Sequence, residues 1–240
     1  MSEKVLAVKG LSKHFGGVMA VNDVDFSVSE GEILGIIGPN GAGKSTTFDL
    51  LTGLTRPSAG EVIFDGRNIT HRKPHQITAL GVGRTFQKIR VFAGMSVVEN
   101  AMVGAFARLN TVGAAVARAE EALDFVGLLG QRDRSASSLT LVDRKKLELA
   151  RALCTEPTLL LVDELMCGLN PEETKESVDL LRQLNTKGIT ILLVEHVMGV
   201  ITALSHRIMV LSYGVKIADG DPSEVMKDAQ VVEAYLGGTV

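Results

Sequence analysis

One stretch constrains this chain more than any other: Gly38-Pro39-Asn40-Gly41-Ala42-Gly43-Lys44-Ser45, followed by Thr46. It fills the pattern G-x-x-x-x-G-K-[ST] at every specified position. The apolar run 33–37 precedes it and a helical pattern over 44–54 follows, so the chain passes from a buried strand through a glycine-rich turn into a helix. Glycines let successive backbone N–H groups converge on an anion, and the helix adds its positive N-terminal end. Such a loop cradles phosphates. Lys44 stands where it reaches the β- and γ-phosphates, and the Ser45 hydroxyl where it joins a Mg²⁺ shell. A ligand-free glycine turn is the weaker reading once strand and helix flank the motif.

Two more apolar runs, 159–162 and 190–194, each end in carboxylates, Asp163-Glu164 and Glu195. Strands that end in polar residues and alternate with helices are the pattern of a parallel α/β sheet whose ligand sits at its carboxyl edge. An isolated strand ending in Asp-Glu says little. Beside a phosphate loop it assigns Asp163 to the metal and Glu164 to general base. His196, just past the second run, is placed to hydrogen-bond a γ-phosphate. Gln87, after the run 82–86, can sense metal or water without adding charge.

Short strands are expected over 5–8 and 24–28, and a hairpin over 208–218. Between them, residues 97–153 read as helical, with Pro157 closing the stretch. The expected organisation is one α/β domain over 1–240. About 1–90 and 155–240 form a β subdomain and a RecA-like core, and about 91–154 a helical subdomain insert.

With 240 residues the chain is long enough for one sizeable core. A net charge of −3, 4% aromatic residues and no tryptophan give no footprint for nucleic acid. Cys154 and Cys167 suggest neither a disulfide framework nor a metal site, but a core thiol and a loop thiol in a reducing cytosol. No signal peptide and no apolar run of about 20 residues is visible, so the chain is expected to sit against a membrane rather than cross it.

Together these residues resemble an ABC transporter ATPase subunit across almost the whole chain. Phe15 resembles the aromatic that stacks on adenine. The phosphate loop, Gln87, Asp163-Glu164, Gly168-Leu169-Asn170 and His196 resemble the Walker A, Q-loop, Walker B, D-loop and H-loop, in the family's order. Thr85-Phe86-Gln87 through Val91-Phe92, Cys167-Gly168-Leu169-Asn170-Pro171 and Ala234-Tyr235-Leu236-Gly237 are similar to the branched-chain amino acid importer ATPases. Lipopolysaccharide-export ATPases share a similar length and tail, and a non-transport regulatory ABC protein is the rival of another class. The resemblance implies ATP and Mg²⁺ as cofactors. It also implies a second ATPase subunit, two transmembrane permease subunits, a periplasmic or extracellular solute-binding protein, and a place on the inner face of the cytoplasmic membrane. An exposed apolar groove for the permease is expected near Gln87–Val98, with Val91, Phe92, Met95, Val97 and Val98 as its candidate lining.

The family's signature, usually Leu-Ser-Gly-Gly-Gln, is irregular here: Leu139-Thr140-Leu141-Val142-Asp143. Thr140 keeps a hydroxyl for the partner's γ-phosphate. Val142 crowds a place where glycine allows close approach. Asp143 brings negative charge and reads as the N-cap of the next helix. Leu165 stands where proline is common and Asn170 where aspartate is common. Because the signature acts on the other subunit's nucleotide, a heterodimer is favoured, with a homodimer possible.

Overall fold

The computed structural model describes residues 4–87 and 90–236. Strands β1 (Lys4–Phe15) and β2 (Val18–Ser29) form a long hairpin, and β3 (Ile33–Ile37) leads through the phosphate loop into α1 (Lys44–Leu51). Next come β4 (Ala59–Phe64), β5 (Arg67–Asn68), α2 (Pro74–Leu80) and β6 (Val82–Arg84). Three helices follow: α3 (Val97–Ala105), α4 (Val112–Phe125) and α5 (Leu141–Leu153). The chain then returns through β7 (Leu159–Asp163), α6 (Pro171–Thr186), β8 (Thr190–Val194) and α7 (Met198–Leu204). It finishes with the hairpin β9 (Arg207–Ser212) and β10 (Val215–Gly220), then α8 (Pro222–Val225) and α9 (Ala229–Leu236).

Two sheets result. An antiparallel sheet runs β2-β1-β4-β5, and a six-stranded sheet runs β10-β9-β3-β8-β7-β6 with only β10 antiparallel to its neighbour. The central strands β3, β7 and β8 are buried at every residue, which is why their sequences are unbroken apolar runs. Alternate side chains still serve opposite faces. Ile33, Ile37, Leu160, Val162, Ile191 and Leu193 join the core beneath the helices α3 to α7. Leu34, Ile36, Leu159, Leu161, Leu192 and Val194 join a second core with α1 and the antiparallel sheet. The parallel sheet is therefore the middle layer, and its carboxyl edge carries the candidate site.

Several expectations are adjusted. The first helix ends at Leu51 rather than at 54, and Gly53 takes φ 69° in the turn that follows. Val97 and Val98 do not line an exposed groove; they are buried against the helical-side core, because α3 turns them inward. Phe92 does remain exposed. Residues 88 and 89 of that expected groove, and the terminal Gly237, lie outside the described residues. No helix among the described residues is long and apolar enough to cross a membrane. Cys154 is buried and Cys167 exposed.

Candidate active site

The phosphate loop leaves β3 at the centre of the sheet and closes on Ala20 of β2. Gly43 takes φ 101°, and a Cβ there would lie 2.4 Å from the Ala20 carbonyl. Gly38 has φ 151°, and a Cβ would lie 2.1 Å from the Leu211 carbonyl. Both positions need glycine on steric grounds, independent of any ligand. The Lys44 ammonium donates to the Gly38 carbonyl at 2.6 Å and the Pro39 carbonyl at 3.0 Å, curled inside its own loop. Burial pushes it below the ordinary lysine range, while Glu164 and Asp163 pull it back.

Asn40, Gly41, Ala42, Gly43, Lys44, Ser45 and Thr46 line a cleft of about 220 Å³ together with Ala20, Gln87, Glu164 and His196. Residues from five separate parts of the sequence thus converge. The Glu164 carboxylate is the centre of the convergence. Its Oε2 accepts from Gln87 Nε2 at 2.7 Å, and its Oε1 lies 2.7 Å from His196 Nε2. Glu164 adopts φ 51°, a left-handed backbone unusual for a residue with a side chain.

Asp163 lies one residue earlier, 2% exposed, at the end of β7. Its Oδ2 accepts from Arg84 at 3.0 Å, and its buried Oδ1 has no hydrogen-bond partner among the described residues. Burial pushes this carboxyl above the usual range, and the Arg84 guanidinium opposes the shift.

Phe15 stands apart from this cluster. It is exposed at the end of β1, near the tip of the β1–β2 hairpin, with the Lys13 ammonium 4.9 Å from its ring centre, and does not line the cleft. Gly38 and Pro39 shape the loop from below without lining the cleft either.

The signature segment opens α5, with one correction. Thr140, not Asp143, is the N-cap: its hydroxyl accepts from the Asp143 N–H at 3.2 Å, which places Asp143 in the first turn. Leu139 is buried, Thr140 and Leu141 are exposed, and Val142 and Asp143 are half-buried. Asn170 caps α6 in a reciprocal arrangement with Glu173, so its side chain is committed to its own helix.

Three charged residues near the site were not singled out by the sequence. Arg84 bridges Asp49 at 2.7 Å and Asp163, and its guanidinium lies 5.6 and 5.0 Å from the ring centres of Phe48 and Phe86. Glu148 of α5 accepts from the Phe86 N–H at 2.9 Å, just before Gln87. Lys145 of α5 reaches the backbone beside Glu164. For Arg84 and Glu148 the available signal was a charge inside an otherwise apolar strand or helix face.

Fold and loop together define a P-loop ATPase cassette. The chain belongs to the ABC transporter family: the model of the family described as ABC transporter matches residues 21–166. The model described as branched-chain amino acid ATP-binding cassette transporter matches residues 215–240. The high-affinity branched-chain amino acid transport ATP-binding protein LivG of Salmonella typhimurium is 41% identical, covering 99% of each chain. The high-affinity branched-chain amino acid transport ATP-binding protein BraF of Pseudomonas aeruginosa is 39% identical, covering 99% of each chain. Among solved structures, the ADP conformation of an ATP-binding cassette of an ABC transporter is similar with a TM-score of 0.89. It has 30% identity and covers 98% of this chain and 100% of that one. A dimeric, post-hydrolysis cassette bound to ADP and phosphate is similar with a TM-score of 0.81 at 25% identity, covering 90% and 98%.

Proposed function

We propose that this chain hydrolyses ATP to drive an importer of branched-chain amino acids, working on the inner face of the cytoplasmic membrane. The observation that carries the catalytic part is the Glu164 carboxylate, held between Gln87 and His196 at the mouth of the phosphate loop. Glu164 takes the proton of the attacking water. Gln87 and His196 fix the direction of that carboxylate, and His196 is within reach of a γ-phosphate lying in the cleft. Backbone N–H groups of the loop and Lys44 hold the phosphates. Phe15 supplies an exposed face for adenine at the hairpin tip.

The residues fit Mg²⁺. Asp163 has one carboxylate oxygen engaged by Arg84 and one buried and unpartnered, and an oxygen so placed calls for a cation. The Ser45 hydroxyl and the Gln87 amide oxygen, from two residues that line the cleft, would be the protein's other ligands. A Mg²⁺ bound by these few residues would leave room in its shell for phosphate and water and would supply charge neutralisation to the transferred phosphoryl group.

The choice of solute is supported by the relatives, which are branched-chain amino acid transport ATP-binding proteins, and by the match over 215–240. Two permease subunits and a solute-binding protein are the implied partners, and nucleic acid is not. A second ATPase subunit is supported by the dimeric cassette among the similar structures. The irregular signature favours a different chain in that place, because Val142 and Asp143 crowd and charge the surface offered to the partner's nucleotide.

The test has two arms. Glu164→Gln is expected to bind ATP as the wild type does and to lose at least about 100-fold in turnover, the lower end of the range for losing a general base. Wild-type turnover in that variant would remove Glu164 from the role. Reconstituted with its permeases and binding protein in vesicles, the complex is expected to hydrolyse ATP faster with leucine present. Stimulation by lipopolysaccharide, or by no solute, would transfer the reading to the export or regulatory alternative.

A further inference from the structure

A lysine inside a protein core demands a reason, because its ammonium has given up its hydration. Lys145 is 6% exposed and lies on α5. Its ammonium donates to the Glu164 carbonyl at 3.2 Å and to the Leu165 carbonyl at 2.8 Å. These bonds cross from the helical layer to the segment just beyond β7, where the candidate base sits.

The same short segment is pinned from the opposite side by β8 and the residue after it. The Glu164 N–H donates to the Val194 carbonyl at 2.9 Å, and the Met166 N–H to Glu195 Oε1 at 2.8 Å. Glu195 is itself 2% exposed, and the positive charge of Lys145 partly offsets the cost of burying it. Three consecutive residues are thus clamped between a buried cation and a buried anion. What the clamp holds is the unusual Glu164 backbone at φ 51°, the conformation in which the carboxylate meets Gln87 and His196. A relaxed backbone would aim the side chain elsewhere.

We infer that Lys145 is a positioning residue for hydrolysis, holding the Glu164 and Leu165 carbonyls so that the tilt of α5 sets the placement of the Glu164 carboxylate. The inference rests on Glu164 being the general base. It also gives α5 a second task. The helix begins at the exposed Thr140 and Leu141, so a contact that moves this end reaches Glu164 through a single buried side chain.

The experiment compares wild type, K145M, K145R, E164Q and K145M/E164Q as full chains. It records ATP affinity by displacement of a fluorescent nucleotide, steady-state kcat and KM, and single-turnover hydrolysis for the slow variants. K145M is expected to lower kcat at least tenfold with KM and ATP affinity within twofold of wild type. K145R is expected to recover kcat to within threefold, since a guanidinium also donates to two carbonyls. In the E164Q background K145M is expected to change the residual rate less than twofold, because the group it positions is already gone. Full activity in E164Q removes the general-base reading and this inference with it. An inactive E164Q alongside a normal K145M overturns the inference alone, as do equal losses from K145M in both backgrounds. If K145M does not fold, K145Q replaces it, and wild-type kcat in folded K145Q overturns the inference.

Discussion

Arg84 shows how much one side chain can organise. Its guanidinium ties Asp49 of α1 to Asp163 of β7, and its own side chain is 8% exposed between two aromatic rings. The contact with Asp163 is a buried ion pair, and such pairs are costly to break from one side because the survivor is left charged and dry. Arg84→Met is therefore expected to lower stability by about 3–5 kcal/mol. Asp49→Asn, which removes the half-exposed partner, should cost less than about 1 kcal/mol. Urea denaturation of both variants checks the contrast, and equal losses would show that the Asp163 contact is not the one that matters. The pair also leaves Asp163 with only its Oδ1 oxygen free for a cation, so Arg84 sets which carboxylate oxygen the site presents.

Among the elements, α5 ties the helical layer to the site at three places. Glu148 holds the Phe86 N–H, Arg151 donates to the Arg90 carbonyl at 2.6 Å, and Lys145 holds the segment after β7. Its start depends on the Thr140 cap. Thr140→Ala should cost about 1 kcal/mol by thermal or urea denaturation, whereas Thr140→Ser should be nearly neutral. A loss from both would mean that the methyl group, not the hydroxyl, supports the turn. The sequence made the strands 159–162 and 190–194 legible because both faces of each are buried, leaving uninterrupted apolar runs. The cap was misread because Thr140 and Asp143 are both good caps three residues apart, and only the backbone decides between them. Val97 and Val98 were misread because an apolar pair looks the same whether it faces its own core or a partner. Lys145 escaped notice for a different reason: its acceptors are backbone carbonyls 19 and 20 residues away, which leave no mark on residue type.

The molecule as a whole is two apolar cores back to back across one parallel sheet, so opening either exposes the sheet that holds the other. Cys154, buried at the end of α5, reports on that opening. Burial pushes its thiol up to about 12, so at pH 8 only on the order of one molecule in 10⁴ carries the reactive thiolate. A thiol reagent should label Cys167 at once and Cys154 only at the rate of global unfolding followed by circular dichroism; fast labelling of both would reveal a local opening at α5. The surface offered to a second subunit raises the remaining question, since a chain with its own phosphate loop intact presents Val142 and Asp143 at the start of α5. In the proposed heterodimer those residues weaken only the site across the interface, so this chain alone should turn over slowly at any concentration. Replacing both, as Val142→Gly with Asp143→Gln, restores close backbone approach and removes a negative charge next to phosphate. A single charge within about 10 Å of phosphate is worth more than about 1 kcal/mol near a protein surface. Turnover of the isolated variant should therefore rise about tenfold or more and grow steeply with protein concentration, as a homodimer becomes competent. Phosphate release measured across a dilution series decides it. A wild-type chain that is already fast alone removes the case for a different partner, and a variant that stays slow shows that the defect lies outside the signature.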